Sequence, residues 1–171
     1  SYFRTKKNMR KIILTNGLIA GFMIPAIMGL VVLVAGEGSG FTEIAGFASM
    51  IIALSTIYLG IRQYRDRVQA GNITFWQGVK VGMLITLIAS AIYVISWTIY
   101  YYLGPGQNMM DQYFQNQIDQ LQADGNLTKI QAMQDMKVNY SKPYILIAYT
   151  FMEIFPVGLL ITLIAAMINK R

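Results

Sequence analysis

An all-α integral membrane protein, with four transmembrane helices in one bundle, is the fold class the sequence predicts. Three observations predict it. Apolar residues make up 55% of the 171 residues and charged residues only 13%. Soluble domains average about 45–50% and about 25%. Four apolar runs reach the ~20 residues that a helix needs to cross a hydrocarbon core about 30 Å thick. The basic residues gather at the ends of those runs, alternating in a way that fits one orientation. The whole chain reads as a single membrane domain, residues 1–171.

The first span covers about residues 12–35, behind a start carrying Arg4, Lys6, Lys7, Arg10 and Lys11. A basic start before an apolar run also describes a signal peptide, but this run is longer than the ~7–15 apolar residues of a signal sequence. Gly36-Glu-Gly-Ser-Gly40 is read as a turn. The second span, about 41–61, ends in the basic cluster Arg62-Gln-Tyr-Arg-Asp-Arg67. Ala70-Gly71-Asn72 is a turn, and Thr74 is the expected N-cap of the next helix. The third span, about 78–103, carries Lys80 at one end and Trp97, Tyr100, Tyr101 and Tyr102 at the other. Gly104-Pro105-Gly106 stops it.

Residues 107–142 differ in kind, being rich in Gln, Asn and Asp. Met110, Phe114, Ile118 and Leu121 fall at helical spacing, which predicts an amphipathic helix. Asp124-Gly125-Asn126 is a turn signal. Thr128-Lys-Ile-Gln131 has the capping-box pattern and is expected to open a second helix with Ile130, Met133 and Met136 on its apolar side. The expectation is a helical hairpin outside the bilayer, capping the bundle or meeting a partner. The fourth span, about 143–168, opens with Pro143, whose missing N–H costs nothing in a first turn.

Charge sets the orientation. The N-terminus has five Lys/Arg, the segment between spans two and three has Arg62, Arg65, Arg67 and Lys80, and the C-terminus has Lys170 and Arg171. The opposite side has only Lys129, Lys137 and Lys142, against Glu37, Glu43, Asp111, Asp119, Asp124 and Asp135. The positive-inside rule then puts both termini on the cytoplasmic side and the 107–142 hairpin outside. Phe75 and Trp76 form an inner aromatic belt, and Trp97 with Tyr100–Tyr102 an outer one.

Helices associate in lipid by close packing, so small residues mark contacts. Gly17, Gly21, Pro25 and Gly29 recur every four residues on span one. Gly46, Ser49, Ala53, Thr56 and Gly60 line one side of span two. Gly78, Gly82, Thr86 and Ser90 line span three, and Gly158, Thr162 and Ala166 span four. These stripes predict a compact bundle, and one of them could also serve a homo-oligomer.

Asn16-Gly-Leu-Ile-Ala-Gly21, Gly60-Ile-Arg-Gln-Tyr-Arg-Asp66, Ile73-Thr-Phe-Trp-Gln-Gly-Val-Lys-Val-Gly82 and Glu153-Ile-Phe-Pro-Val-Gly158 carry a resemblance. On these stretches, which touch all four spans, the chain resembles uncharacterised four-span bacterial membrane proteins, common in Bacteroidota, grouped as a domain of unknown function. The resemblance implies a four-helix inner-membrane protein and no activity.

Glu153 is the one acidic or basic residue deep in an apolar run. It lies ten residues into span four, roughly 15 Å from its start and near mid-depth. A charged side chain there costs about 2.5–3.5 kcal/mol on insertion scales. With no Lys or Arg at that depth, the neutral carboxyl is the expected form. Ser90 and Tyr93 on span three, and Ser49, Ser55 and Thr56 on span two, are its candidate partners. Glu153, Ser90, Tyr93 and Thr56 would together make a proton or cation site. The competing reading is structural: a carboxyl bridging helices, or filling the backbone gap that Pro156 leaves at the Met152 carbonyl. One carboxyl alone makes no pathway, so the structural reading is preferred. Pro25 is expected to bend span one passively.

Arg62, Tyr64, Arg65, Asp66 and Arg67 form a candidate docking patch for lipid headgroups or a partner. The simpler reading is a topology anchor in which Asp66 braces Arg62 or Arg65. The inventory for catalysis is poor. The chain has no cysteine and no histidine, no phosphate loop and no pair of membrane acids, so an enzyme is not expected. No metal and no cofactor is expected, and nucleic acid is not an expected partner, because the excess positive charge sits where topology signals sit. The expected partners are the bilayer and a homo-oligomer or membrane complex. The leading functional expectation is a membrane subunit or accessory protein. The alternative is a small proton- or cation-coupled transporter or channel built on Glu153.

Overall fold

The computed structural model describes residues 2–35, 40–123 and 125–170, and their side chains except those of 2–5, 32, 35 and 40–43. Among the described residues six helices follow in order: α1 Tyr2–Ala35, α2 Gly40–Val68, α3 Phe75–Leu103, α4 Gly106–Ala123, α5 Leu127–Tyr140 and α6 Pro143–Asn169. No strand occurs among the described residues. The fold is all-helical, with four stretches long and apolar enough to cross a membrane: Lys6–Val31, Ile44–Val68, Phe75–Leu103 and Pro143–Asn169. The turn expected at Gly36–Ser39, and the Asp124 part of the second turn signal, lie outside the described residues.

The helices outrun the expected spans. α1 is already helical at Tyr2, and α2 continues through the basic cluster to Val68. Lipid thickness limits the apolar stretch and not the helix, and Arg and Lys are good helix formers. Local signals end the elements. Thr74 caps α3 as expected: its Oγ accepts the Gln77 N–H at 3.3 Å, while the Gln77 Oε1 accepts the Thr74 N–H at 2.9 Å. Between α2 and α3, Ala70 and Gly71 take positive φ of 50° and 93°, which reverses the chain within a few residues. Pro143 opens α6.

One expected cap is replaced. α5 begins at Leu127, and its N-cap is Asn126, whose Oδ1 accepts the Lys129 N–H at 3.2 Å. Asn at an N-cap supplies an acceptor on a short side chain. Thr128 therefore falls inside the first turn and does not start the helix.

α1 packs on α2 and α3, and α6 packs on α3 and α2. α2 and α3 also meet across the middle, whereas α1 and α6 do not touch among the described residues. The core lies between them and includes Ile24, Leu54, Ile57, Ile61, Ile85 and Ile154. Close packing of the predicted stripes builds it. A methyl on Gly78 would stand 3.0 Å from the Ala166 Cβ, and one on Gly82 would stand 2.6 Å from the Thr162 Cγ2. Gly158 sits against the Thr86 methyl. The stripes of α3 and α6 thus face each other in antiparallel register, each step of four on one matched by a step of four on the other. Carried further, that register sets Ser90 level with Ile154 and Val94 level with Thr150, and all four are buried.

Gly17 and Gly21 of α1 receive Ile88 and Ile92 of α3. Farther along the same stripe, Pro25 is half-buried in an uninterrupted helix, and a Cβ on Gly29 would meet nothing within 4 Å. Among the described residues, the first half of that stripe is a packing surface and Gly29 is not. The α2 stripe faces α1. Thr56 donates to the Asn16 carbonyl at 3.3 Å, and Gly60 lies against Asn16 and Ile85. Asn16 is itself buried, and its amide donates to the Ile12 carbonyl at 2.8 Å and to Gln63 at 3.2 Å. This polar staple between α1 and α2 had no place among the expected contacts.

Candidate functional site

α3 and α6 carry a column of polar side chains beside their zipper of small residues. Tyr93 is one turn before Trp97 on α3. Thr150 and Tyr149 are one turn before Glu153 on α6, and the helices run antiparallel. The Tyr93 phenol donates to the Glu153 Oε2 at 3.5 Å, a long contact for an O–H donor. Tyr93 packs against the core, while Glu153 remains exposed on the flank of α6.

The column ends at the hairpin. Tyr140, the last residue of α5, accepts a hydrogen bond from the Trp97 Nε1 at 3.0 Å. Its hydroxyl also lies within hydrogen-bonding reach of Thr150. Its ring packs against Tyr101 and Phe114, each at 5.7 Å, and against Tyr149 at 6.2 Å. Tyr102 donates to the Ser141 carbonyl at 2.8 Å. Burial pushes the Tyr140 phenol up to about 12, and the nearby Glu153 charge adds to the shift. Tyr140 therefore stays a neutral donor at physiological pH.

This aromatic joint fixes α4 and α5 onto α3 and α6 only. Phe114 and Ile118 bury the apolar side of α4, with Met110 and Leu121 half-buried, as the spacing predicts. α5 is tied to α4 by the Lys137–Asp111 ion pair at 3.5 Å, yet no residue of α5 is buried. Ile130 and Met133 are half-buried and Met136 is exposed.

Of the four residues expected to form a proton or cation site, the structure brings together two. Tyr93 meets Glu153. Ser90 is fully buried in the α3–α6 zipper, and its hydroxyl has no partner among the described residues. Thr56 faces α1, donating to Ala53 and Asn16 carbonyls. Ser49 and Ser55 bond carbonyls of their own helix. Sequence reasoning had no place for Tyr140 and Thr150 and read Trp97 as belt alone. The available signal was position: Thr150 lies one turn from Glu153, and Trp97 one turn from Tyr93.

The basic patch divides as well. Asp66 braces both arginines, at 2.7 Å from the Arg65 Nε and 3.7 Å from the Arg62 Nε. Arg67 is exposed. Tyr64 turns into the core, where its hydroxyl accepts the Gln69 amide at 2.7 Å. Two apolar grooves flank the helices. One, about 640 Å³, lies between α2 and α6 beside Met23, and the other, about 560 Å³, lies between α3 and α6. Neither is lined by Glu153. Among the described residues no group of three or more acidic side chains is placed to hold a metal ion.

A family model described as "Protein of unknown function (DUF4199)" matches residues 13–171. The chain belongs to this family. The DUF4199 match takes in α1 from Ile13 onward, the other three apolar helices and the hairpin, so zipper, polar column and aromatic joint all lie inside the family region. No curated protein and no solved structure matches the chain.

Proposed function

We propose that this protein is an accessory subunit of a bacterial inner membrane, and that the α4–α5 hairpin is the surface on which its partner docks. The observation that carries this reading is α5. It is held at both ends, by Asn126 capping and by the Tyr140 joint, but buries none of its residues. Leu127 and Val138 stay 79% and 69% exposed, while Ile130 and Met133 of the same helix are half-buried. A capped helix with unspent apolar side chains suits a partner surface.

The charge distribution supports the orientation. Lys6, Lys7, Arg10, Lys11, Arg62, Arg65, Arg67, Lys80 and Lys170 share the end of the bundle away from the hairpin. By the positive-inside rule that end is cytoplasmic and the hairpin is on the far side. At mid-length of α6, Glu153 then lies within the bilayer.

Photo-crosslinking residues placed at Leu127 and Val138 in the native host test the docking reading. Both should give one discrete adduct of equal mass, absent when the label replaces exposed Trp76 at the opposite end. The same adducts from all three positions, or none from the hairpin, would remove the reading.

A further inference from the structure

The polar column has a feature that partner docking does not use. Glu153 lies on the flank of the bundle, where neighbouring side chains do not enclose it. Its described hydrogen-bond partner is a phenol at the long distance of 3.5 Å, and a phenol can face either protonation state of a carboxyl. No Lys or Arg occurs between Ile12 and Ile61, between Val81 and Thr128, or from Pro143 to Asn169. The helices therefore offer no cation to hold a carboxylate at that level. The groups facing Glu153 are Tyr93 from α3 and, within electrostatic reach, Tyr140 from α5.

The same groups lead to the hairpin end. Trp97 donates to the Tyr140 oxygen, which leaves the Tyr140 proton free to be given onward. Thr150, the next hydroxyl, is one turn from Glu153 and donates to the Leu146 carbonyl at 2.7 Å. Trp97, Tyr140 and Thr150 thus lead from the aromatic joint to within one helical turn of the carboxyl, whose own hydrogen bond is with Tyr93.

We propose that Glu153 and Tyr93 form a proton-binding site that exchanges with the aqueous phase on the hairpin side, by way of Tyr140. The site takes up one proton on Glu153 and returns it by the same side, so no transport is implied. It stands independently of partner docking, since neither Leu127 nor Val138 takes part in it.

Dicyclohexylcarbodiimide reacts with protonated carboxyls in apolar surroundings. The full chain, reconstituted in sealed vesicles of known orientation, is labelled with it while the pH on each side is varied separately, and adducts are located by mass spectrometry. Labelling at Glu153 should fall about tenfold per pH unit above its midpoint when the hairpin side is made alkaline. The opposite side should have no effect, and Glu153→Gln should abolish the adduct. Tyr140→Phe should slow the response to a pH jump by severalfold without changing the final extent of labelling. No adduct, an adduct indifferent to pH, or control from the opposite side would each overturn the proposal. So would an unchanged rate in Tyr140→Phe.

Discussion

The Thr86 hydroxyl of α3 meets the Thr162 hydroxyl of α6 at 3.1 Å, seventy-six residues apart in the chain and fully buried. Thr86 also reaches the Gly158 carbonyl at 3.4 Å, on the turn before Thr162. The pair sits in the middle of the zipper of small residues, where backbones come close enough for short side chains to bond across it. A double-mutant cycle of Thr86→Val and Thr162→Val should give a coupling of about 0.6 kcal/mol, the usual size for hydrogen bonds between membrane helices. Reversible unfolding in mixed micelles measures it. Strict additivity would show that the hydroxyls merely pack.

Glycine positions on the small-residue stripes should be sharply unequal. Gly82→Val drives a branched side chain into Thr162 and should destabilise by about 1–3 kcal/mol, the range for overpacking. Gly29→Ala meets nothing within 4 Å and should be neutral, or stabilising by about 0.5–1 kcal/mol. Equal effects in the same unfolding assay would contradict the packing described.

Tyr140 gives a pH signature at the joint. Its phenol rises from 10.0 to about 12, so the folded joint holds a proton that the released hairpin gives up earlier. Stability from this residue is complete below pH 10 and declines as pH rises from there through about 12. Hydrogen exchange across α4 and α5 should therefore accelerate over that window. In Tyr140→Phe the acceleration should lose this component, and protection at the hairpin should be lower at neutral pH because the Trp97 bond is gone.

The sequence by itself carried a great deal of this protein. Four apolar runs, the capping box at Thr74, Pro143 at the head of α6 and the basic ends were all legible, because hydropathy, capping and charge act within a few neighbouring residues. The stripes on α3 and α6 were legible too, as periods of four. α5 was harder to place, since Asn126 and Thr128 both offer an N-cap oxygen and only the backbone path shows that Asn126 is the one used, accepting the Lys129 N–H.

Tertiary structure alone decided which stripe meets which, and what surrounds Glu153. Period reports where a residue lies around its own helix and says nothing about which helix lies opposite. Lipid adds no preference, being as apolar as the side chains it replaces, so shape and a few hydrogen bonds choose the neighbours. That choice sends Thr56 to Asn16, locks Ser90 in the zipper and leaves Tyr93 as the one expected partner beside Glu153. It also brings Tyr140 from the polar hairpin onto the same column, a contact between segments that no local pattern connects.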